Sequence, residues 1–322
     1  MNLDPSTQQS KAIEATAVAL GERVRRQYPL GPLTTYRVGG PAALFCRVQS
    51  EAELSRVAEA VARTGIDVLI IGKGSNLLVA DGGFAGLAVA LGDAFAAIDL
   101  CHLDGGRATV RAGGAAALPV VARRTAAAGL TGFEWAVGVP GSIGGAVRMN
   151  AGGHGADMAR SLARVRVVDV ACGEDEVMAA SGLDLSYRRS ALTSSQVVVW
   201  GELSLAAGDQ AQAEAEITSI VRWRRANQPG GQNAGSVFIN PSGDSAGRLV
   251  EVAGCKGLRH GSAVVSTKHA NFIQADEGGS ADDVFALMLD VRRRVHGRAG
   301  VLLEPETRLV GFAPLALADV GD

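Results

Sequence analysis

Aromatic residues are scarce: three Trp, three Tyr and eight Phe in 322 residues. That excludes an aromatic stacking platform for single-stranded nucleic acid. No charge of one sign dominates either. The chain has 31 basic and 33 acidic residues, a net charge of −2, so nothing marks a broad phosphate-backbone partner. Cys46, Cys101, Cys172 and Cys255 are far apart and form no C-x-x-C pair. This leaves no zinc knuckle and no disulfide framework, and a reduced, cytoplasmic compartment is the expectation. His102, His154, His260, His269 and His296 show no metal-ligand spacing. No apolar run is long enough to cross a bilayer; ATAVAL is short and is followed by Arg23, Arg25 and Arg26. The opening residues, MNLDPSTQQSK, lack an apolar stretch, so no secretory signal is expected. Charge and composition suit a soluble protein, with a monomer as its simplest state.

What the chain does have is glycine, 42 residues, about twice the usual share of ~7%. Hydrophobic residues make up 47% and charged residues 20%, enough apolar surface for a core. The length suits two domains. Residues 1–30 read as a helical lead-in. Ser50 with Glu53 forms a capping box. Leu54, Val57, Ala58 and Val61 then share a face, which predicts a helix over 51–64, stopped by Gly65. Ile66 to Ile71 is a continuous apolar run and reads as a buried strand. Further strands are expected at 87–91, 108–113, 164–170 and 197–205, with a helix from Leu118 to Ala128. A polar, helix-period segment begins near 207 and is a plausible junction. Beyond it the pattern predicts helices near 246–253 and 281–297, the second capped by Ser280. Strands are expected over 266–275 and 301–311.

Two glycine-rich segments stand beside predicted strands: Gly72-Lys73-Gly74-Ser75-Asn76, and GVPGSIGGAVRMNAGGHG at 138–155. Glycine lets backbone N–H groups approach an anion without a Cβ in the way. Neither segment is a Rossmann fingerprint, because Leu77-Leu78-Val79 reads as extended rather than as a helix start. The P-loop pattern is absent as well. Each cluster alone reads as a set of tight turns. Together, with Asn76 and Asn150 in the loops, they suggest a nucleotide cofactor with a diphosphate.

Six ordered motifs then carry a resemblance: GKGSNLLV (72–79), GVPGSIGGAVRMNAG (138–152), YRRS (187–190), GSVFINP (235–241), KHANFI (268–273) and LEPETRLVG (303–311). From about Thr34 to Gly311 the chain resembles the UDP-N-acetylenolpyruvoylglucosamine reductase family, flavoenzymes of cell-wall precursor synthesis. The short segment after Tyr187 resembles the shorter subtype. The resemblance implies an α+β fold: a two-lobed FAD-binding domain of the vanillyl-alcohol oxidase type at 31–206, then an α+β substrate domain at 207–322. It implies non-covalent FAD, since the first loop has no His for attachment, and NADPH as co-substrate. The implied cofactor residues are Gly72, Lys73, Gly74, Ser75, Asn76 and Leu77 in the first loop and Gly113 and Gly114 between the loops. Pro140, Gly141, Ser142, Ile143, Gly144, Gly145 and Asn150 complete the set in the second.

The implied reaction reduces an enolpyruvyl ether to a lactyl ether. It needs a cation beside the substrate carboxylate and a placed proton donor. The motifs assign Arg188 to the carboxylate, with its neighbour Arg189 as the competing choice. They assign Ser236 to the carbon-bound proton and Glu306 to polarising the developing enolate or orienting the substrate. In a strand Glu304 would share the face of Glu306. Tyr187, Arg224, Asn240 and Lys268 are implied substrate contacts, and His269 reads as a structural His. Two positions depart from the family pattern: Ile239 and Asn227 stand where a Lys is frequent. Arg224, Arg225 and Lys256 are the cations available to compensate. The alternatives are another FAD-dependent oxidase or dehydrogenase on the same scaffold, and a non-catalytic nucleotide-binding protein.

Overall fold

The computed structural model describes residues 5–104 and 106–313. The ends of the N-terminal lead-in (1–4) and of the predicted substrate domain (314–322) lie outside the described residues, as do the side chains of Cys101 and His102. Helices and strands are mixed throughout, an α+β fold. The chain forms two compact units, neither contiguous in sequence. One comprises 1–26, 43–73 and 85–224; the other comprises 27–42, 74–84 and 225–322. Among the described residues no helix is long and apolar enough to cross a membrane.

The first unit begins with α1 (Pro5–Leu20). The lead-in is not helical to residue 30: Gly21 takes φ +57°, and strand β1 runs Val24–Pro29. A glycine in the left-handed region is a common helix stop, because it has no Cβ to clash. One sheet has the order β1-β2-β5-β3, with β2 at Pro41–Val48, β3 at Val68–Ile71 and β5 at Phe84–Leu91. Helix α2 (Glu51–Thr64) follows β2 as its pattern predicts. Ser50 accepts a hydrogen bond from the Glu53 N–H at its start, and Gly65 turns left-handed at its end. Leu54, Val57 and Val61 of α2 join Leu44, Leu87 and Val89 in one apolar core.

A second sheet has the order β12-β11-β13-β7-β6. Its strands are β6 (Ile98–Asp104), β7 (Arg107–Gly113), β11 (Leu162–Asp169), β12 (Asp175–Ala179) and β13 (Gln196–Ala207), and short β8 (Leu130–Thr131) pairs with β13. Helices α3 (Leu118–Ala127), α4 (Ile143–Met149) and α5 (Gln210–Asn227) supply buried residues to its core, among them Val121, Val147 and Ile217. The composition change near 207 therefore marks the start of α5, whereas the units part at Arg224/Arg225. A small hairpin, β9 (Gly152–Gly153) and β10 (Ala156–Asp157), follows α4.

The second unit holds β4 (Leu77–Val79), α6 (Ala246–Val252), α7 (Ala281–Ala299) and the sheet β14 (Arg259–His260), β15 (Ala263–Val265), β16 (Ile273–Ala275). Strand β17 (Arg308–Val310) runs parallel to β4. Val284, Leu287, Met288 and Val291 of α7 bury one face against Val250, Val265 and Phe238. Both long strands predicted here are shorter in the structure. Ser266 Oγ accepts from the N–H groups of Lys268 and His269 (3.1 and 3.4 Å), and the Phe272 N–H donates to His269 O at 3.1 Å. Those local bonds fold 266–272 into turns instead of a ladder. In 301–311, Pro305 has no N–H to donate, and only an isolated bridge to Phe238 forms there before β17.

Candidate active site

The glycines of the two loops are first of all packing positions. A Cβ on Gly72 would stand 2.6 Å from Ser142 Oγ, so the first and second glycine turns lie against one another within the first unit. A Cβ on Gly113 or Gly114 would meet Phe95 O at 2.0 Å or Val198 O at 1.9 Å. In the second loop the N–H groups of Ile143 and Gly144 donate to Ala116 O and Gly114 O at 2.9 Å, and that of Gly145 donates to Ser142 Oγ at 3.3 Å. In the second unit, the Thr35 N–H donates to Gly74 O at 3.2 Å. Asn76 Nδ2 donates to Glu306 O at 2.9 Å, and the Arg308 N–H returns to Asn76 O at 3.0 Å. Leu77 is buried in β4, as its extended reading required.

An FAD fits these residues. The two turns adjoin, as two phosphates of one cofactor require, and Gly72, Lys73, Pro140 and Gly145 are exposed along them with little side-chain bulk at the glycines. Gly141, Ser142 and Ile143 are buried beneath this rim. Asn150 differs from the rest: it is 2% exposed, and its carboxamide is engaged with Ser186 O, Asp157 and the Ala159 N–H.

Arg188 sits in a tight two-residue turn. The N–H groups of Ser186 and Arg189 each donate to the other's carbonyl at 3.0 Å, and Arg188 takes φ +57°. Its guanidinium donates to Gly152 O at 3.1 Å and stands 5.0 Å from the Tyr187 ring centroid. Arg188 is half-buried whereas Arg189 is exposed, so of the two it is Arg188 whose side chain the fold holds. Tyr187 is 55% exposed. Arg224 is directed onto Gly138 O, and burial lowers its pKa. Nearby, the His154 ring meets Trp223 edge to face at 5.1 Å.

In the second unit, an open cavity of about 400 Å³ is lined by Ser236, Asn240, Arg248, Lys256, Lys268 and His269, among others. Three residues singled out by sequence, Ser236, Asn240 and Lys268, thus line one hollow. Its charged lining is mainly cationic, with Glu251 as the acid, bonded to Lys256 Nζ at 2.7 Å. Lys268 Nζ donates to Arg225 O at 2.6 Å, and Asn240 Oδ1 accepts the Ala246 N–H at 3.0 Å. Burial lowers the pKa of His269, whose Nδ1 accepts the Asn271 N–H at 3.3 Å. Glu306 is tied to the serine segment through the backbone: its N–H donates to Val237 O at 2.8 Å, and the Ile239 N–H donates to Glu304 O at 2.9 Å. Glu304 and Glu306 flank the Pro305 bridge rather than lying in a regular strand.

Sequence reasoning missed Asn271. It is 4% exposed, and its amide brackets Phe238, accepting from the Phe238 N–H at 3.0 Å and donating to Phe238 O at 2.8 Å. With the Val237 N–H on Asn271 O at 2.9 Å, it fixes the extended segment that follows Ser236, which forms an isolated bridge from Phe238 to Pro305. The signal was its place in KHANFI, one amide between the apolar Ala270 and Phe272.

Comparison with known proteins places the chain in a family. Residues 42–176 match the FAD binding domain model, and residues 227–310 match the UDP-N-acetylenolpyruvoylglucosamine reductase C-terminal domain model. Together they define an FAD-dependent oxidoreductase. UDP-N-acetylenolpyruvoylglucosamine reductase 2 of Symbiobacterium thermophilum is 42% identical over 91% of this chain and 94% of its own. The Acidiphilium cryptum reductase is 43% identical over 90% of this chain and 92% of its own. The crystal structure of the Thermus caldophilus reductase superposes with a TM-score of 0.78 at 34% identity, covering 89% of this chain and all but 1% of that one (99%). The chain belongs to the UDP-N-acetylenolpyruvoylglucosamine reductase family.

Proposed function

We propose that the protein reduces UDP-N-acetylglucosamine enolpyruvate to UDP-N-acetylmuramate with NADPH, in the cytoplasmic synthesis of peptidoglycan precursors. The observation that carries this reading is the cavity that gathers Ser236, Asn240 and Lys268 under a mainly cationic lining. We assign the sequence segments 31–206 to the cofactor and 207–322 to the substrate; both matched ranges lie inside these bounds, while the compact units divide the chain differently, grouping 27–42 and 74–84 with the residues from 225 on.

Held along the rim of Gly72, Lys73, Pro140 and Gly145, FAD would relay a hydride from NADPH to the substrate. The alkene gains one hydride at its terminal carbon and one proton at the adjacent carbon, so the CH2 becomes CH3 and NADPH leaves as NADP+. The protein's work is to hold the substrate, carry the developing charge and deliver that proton. Arg188 offers the carboxylate a planar fork of donors. As negative charge spreads into the carboxylate, a fixed cation stabilises the transition state more than the ground state. Ser236 Oγ donates the proton, and Glu306 polarises the developing enolate; the backbone bonds that join their segments support pairing these two roles. Lys268 and Lys256 hold the substrate's diphosphate, the cations that make up for Ile239 and Asn227. Tyr187, Asn240 and Arg224 are further substrate contacts.

Ser236→Ala separates the steps. It should leave flavin bleaching by NADPH near the wild-type rate and slow recolouring by the enolpyruvyl substrate about 100-fold or more. An equal fall in both would mean that Ser236 is structural and not the proton donor.

A further inference from the structure

Asn150 closes α4 in the left-handed region, φ +38°. Its carboxamide orientation is fixed by backbone partners. The Ala159 N–H needs an acceptor and so faces Oδ1 at 2.9 Å; Ser186 O needs a donor and so faces Nδ2 at 2.9 Å. The second Nδ2 hydrogen points to Asp157 Oδ2 at 3.2 Å. Both donors of a 2%-exposed side chain are thereby committed inside the protein, an arrangement that suits a brace better than a cofactor ligand.

What the brace holds is the arginine turn. Ser186 opens the turn that carries Arg188 in a left-handed conformation, which a side chain rarely adopts without outside support. Three more bonds run between the turn with its flanks and residues 148–152. Arg188 Nη2 donates to Gly152 O at 3.1 Å, and Ser190 Oγ donates to Arg148 O at 2.8 Å. The Arg148 guanidinium donates to Leu192 O. The second glycine-rich segment thus has two tasks, and its last residues serve the arginine rather than the diphosphate.

We propose that Asn150 is a positioning residue for Arg188, holding the turn through Ser186 O so that the guanidinium meets the substrate carboxylate in one orientation. This rests on the reading of Arg188 given above. The informative variant is Asn150→Asp. It keeps the size, tolerates the left-handed backbone and retains the acceptor for Ala159, but it turns an oxygen toward Ser186 O and Asp157. Ser190→Ala removes a second clip from the other side and serves if Asn150→Asp does not fold.

Three quantities are measured on the flavin-loaded protein: flavin content, anaerobic bleaching by NADPH with recolouring by UDP-N-acetylglucosamine enolpyruvate, and tryptic cleavage after Arg188 and Arg189. The proposal expects flavin content and bleaching to stay within about twofold of wild type while recolouring slows about 10- to 100-fold. Cleavage at the turn should become faster. Wild-type recolouring in Asn150→Asp overturns it, and so does loss of flavin in proportion to the loss of rate, which would make Asn150 a cofactor residue after all. If the substrate fails to recolour even the wild-type protein, it is the reading of Arg188 that falls. The tryptic comparison then decides the brace by itself, unchanged cleavage counting against it.

Discussion

Lys256 shows how much a single side chain can carry. It lines the same cavity as Ser236 and is held by Glu251 at 2.7 Å. Arg224, another cation near the missing lysines in sequence, is committed to Gly138 O in the first unit. Lys256 is therefore the stronger candidate to replace the charge absent at Ile239. Removing one cation from a diphosphate contact weakens binding of substrate and transition state together, which raises KM and leaves kcat. Lys256→Ala should raise KM for the sugar nucleotide about tenfold, near 1.4 kcal/mol, with kcat within about twofold. Steady-state kinetics with varied substrate check this, and an unchanged KM would remove Lys256 from the diphosphate site. The residues proposed to bear the chemistry could be picked out because short motifs fix their types and spacing. The long-range bonds were not legible: the amides of Asn271 and Asn150 reach partners 33 and 36 residues away along the chain, and no local pattern announces such partners.

Elements whose ends carry their own signals were read well. Ser50, Glu53 and Gly65 bounded α2 in the sequence, and the cap bond and left-handed glycine stand at those positions. Ser280 marked α7 in the same way. Elements were misjudged where local polar bonds or proline compete with a ladder. The stretch 266–275 kept only Ile273–Ala275 as strand, because Ser266 holds the backbone in turns. Residues 24–29 form a strand that apolar periodicity did not foretell, since burial along it is slight. Ser280 gives a stability test at this scale. Its Oγ accepts the Asp283 N–H at 3.1 Å and donates to Asp81 Oδ2 at 2.5 Å. Ser280→Ala should cost about 1–2 kcal/mol, read as a lower urea midpoint with the same slope. A midpoint equal to wild type would show that α7 does not depend on its cap.

At the scale of the whole molecule, the division into compact units cuts across the sequence order, and this was the least legible feature. Residues 27–42 and 74–84 belong with 225–322, a partnership made by pairings such as β4 with β17, more than 200 residues apart. Charge placement also acts at this scale. Glu202 is buried, which by itself raises its pKa, but hydrogen bonds from Arg164 and Arg111 outweigh burial and lower it. A carboxylate whose pKa is lower folded than unfolded adds stability above its unfolded pKa of about 4.3, and that stability is lost as pH falls through the folded value. Glu202→Gln should therefore flatten the loss of stability on acidification below about pH 4.3 while lowering stability near pH 7. Urea midpoints across this range check it, and an acid limb as steep as that of wild type would show that other carboxylates set it.

FAD-dependent reduction of the enolpyruvyl sugar nucleotide by NADPH is the reaction to be tested. The most direct test is one anaerobic absorbance record of the purified protein, taken before NADPH, after NADPH, and after UDP-N-acetylglucosamine enolpyruvate. If the protein catalyses this reaction, a flavin band bleaches with NADPH and returns in full with that substrate, with UDP-N-acetylmuramate formed in equal amount. A bleached protein that ignores the sugar nucleotide and recolours only when oxygen is admitted would contradict it and point to an oxidase on the same scaffold.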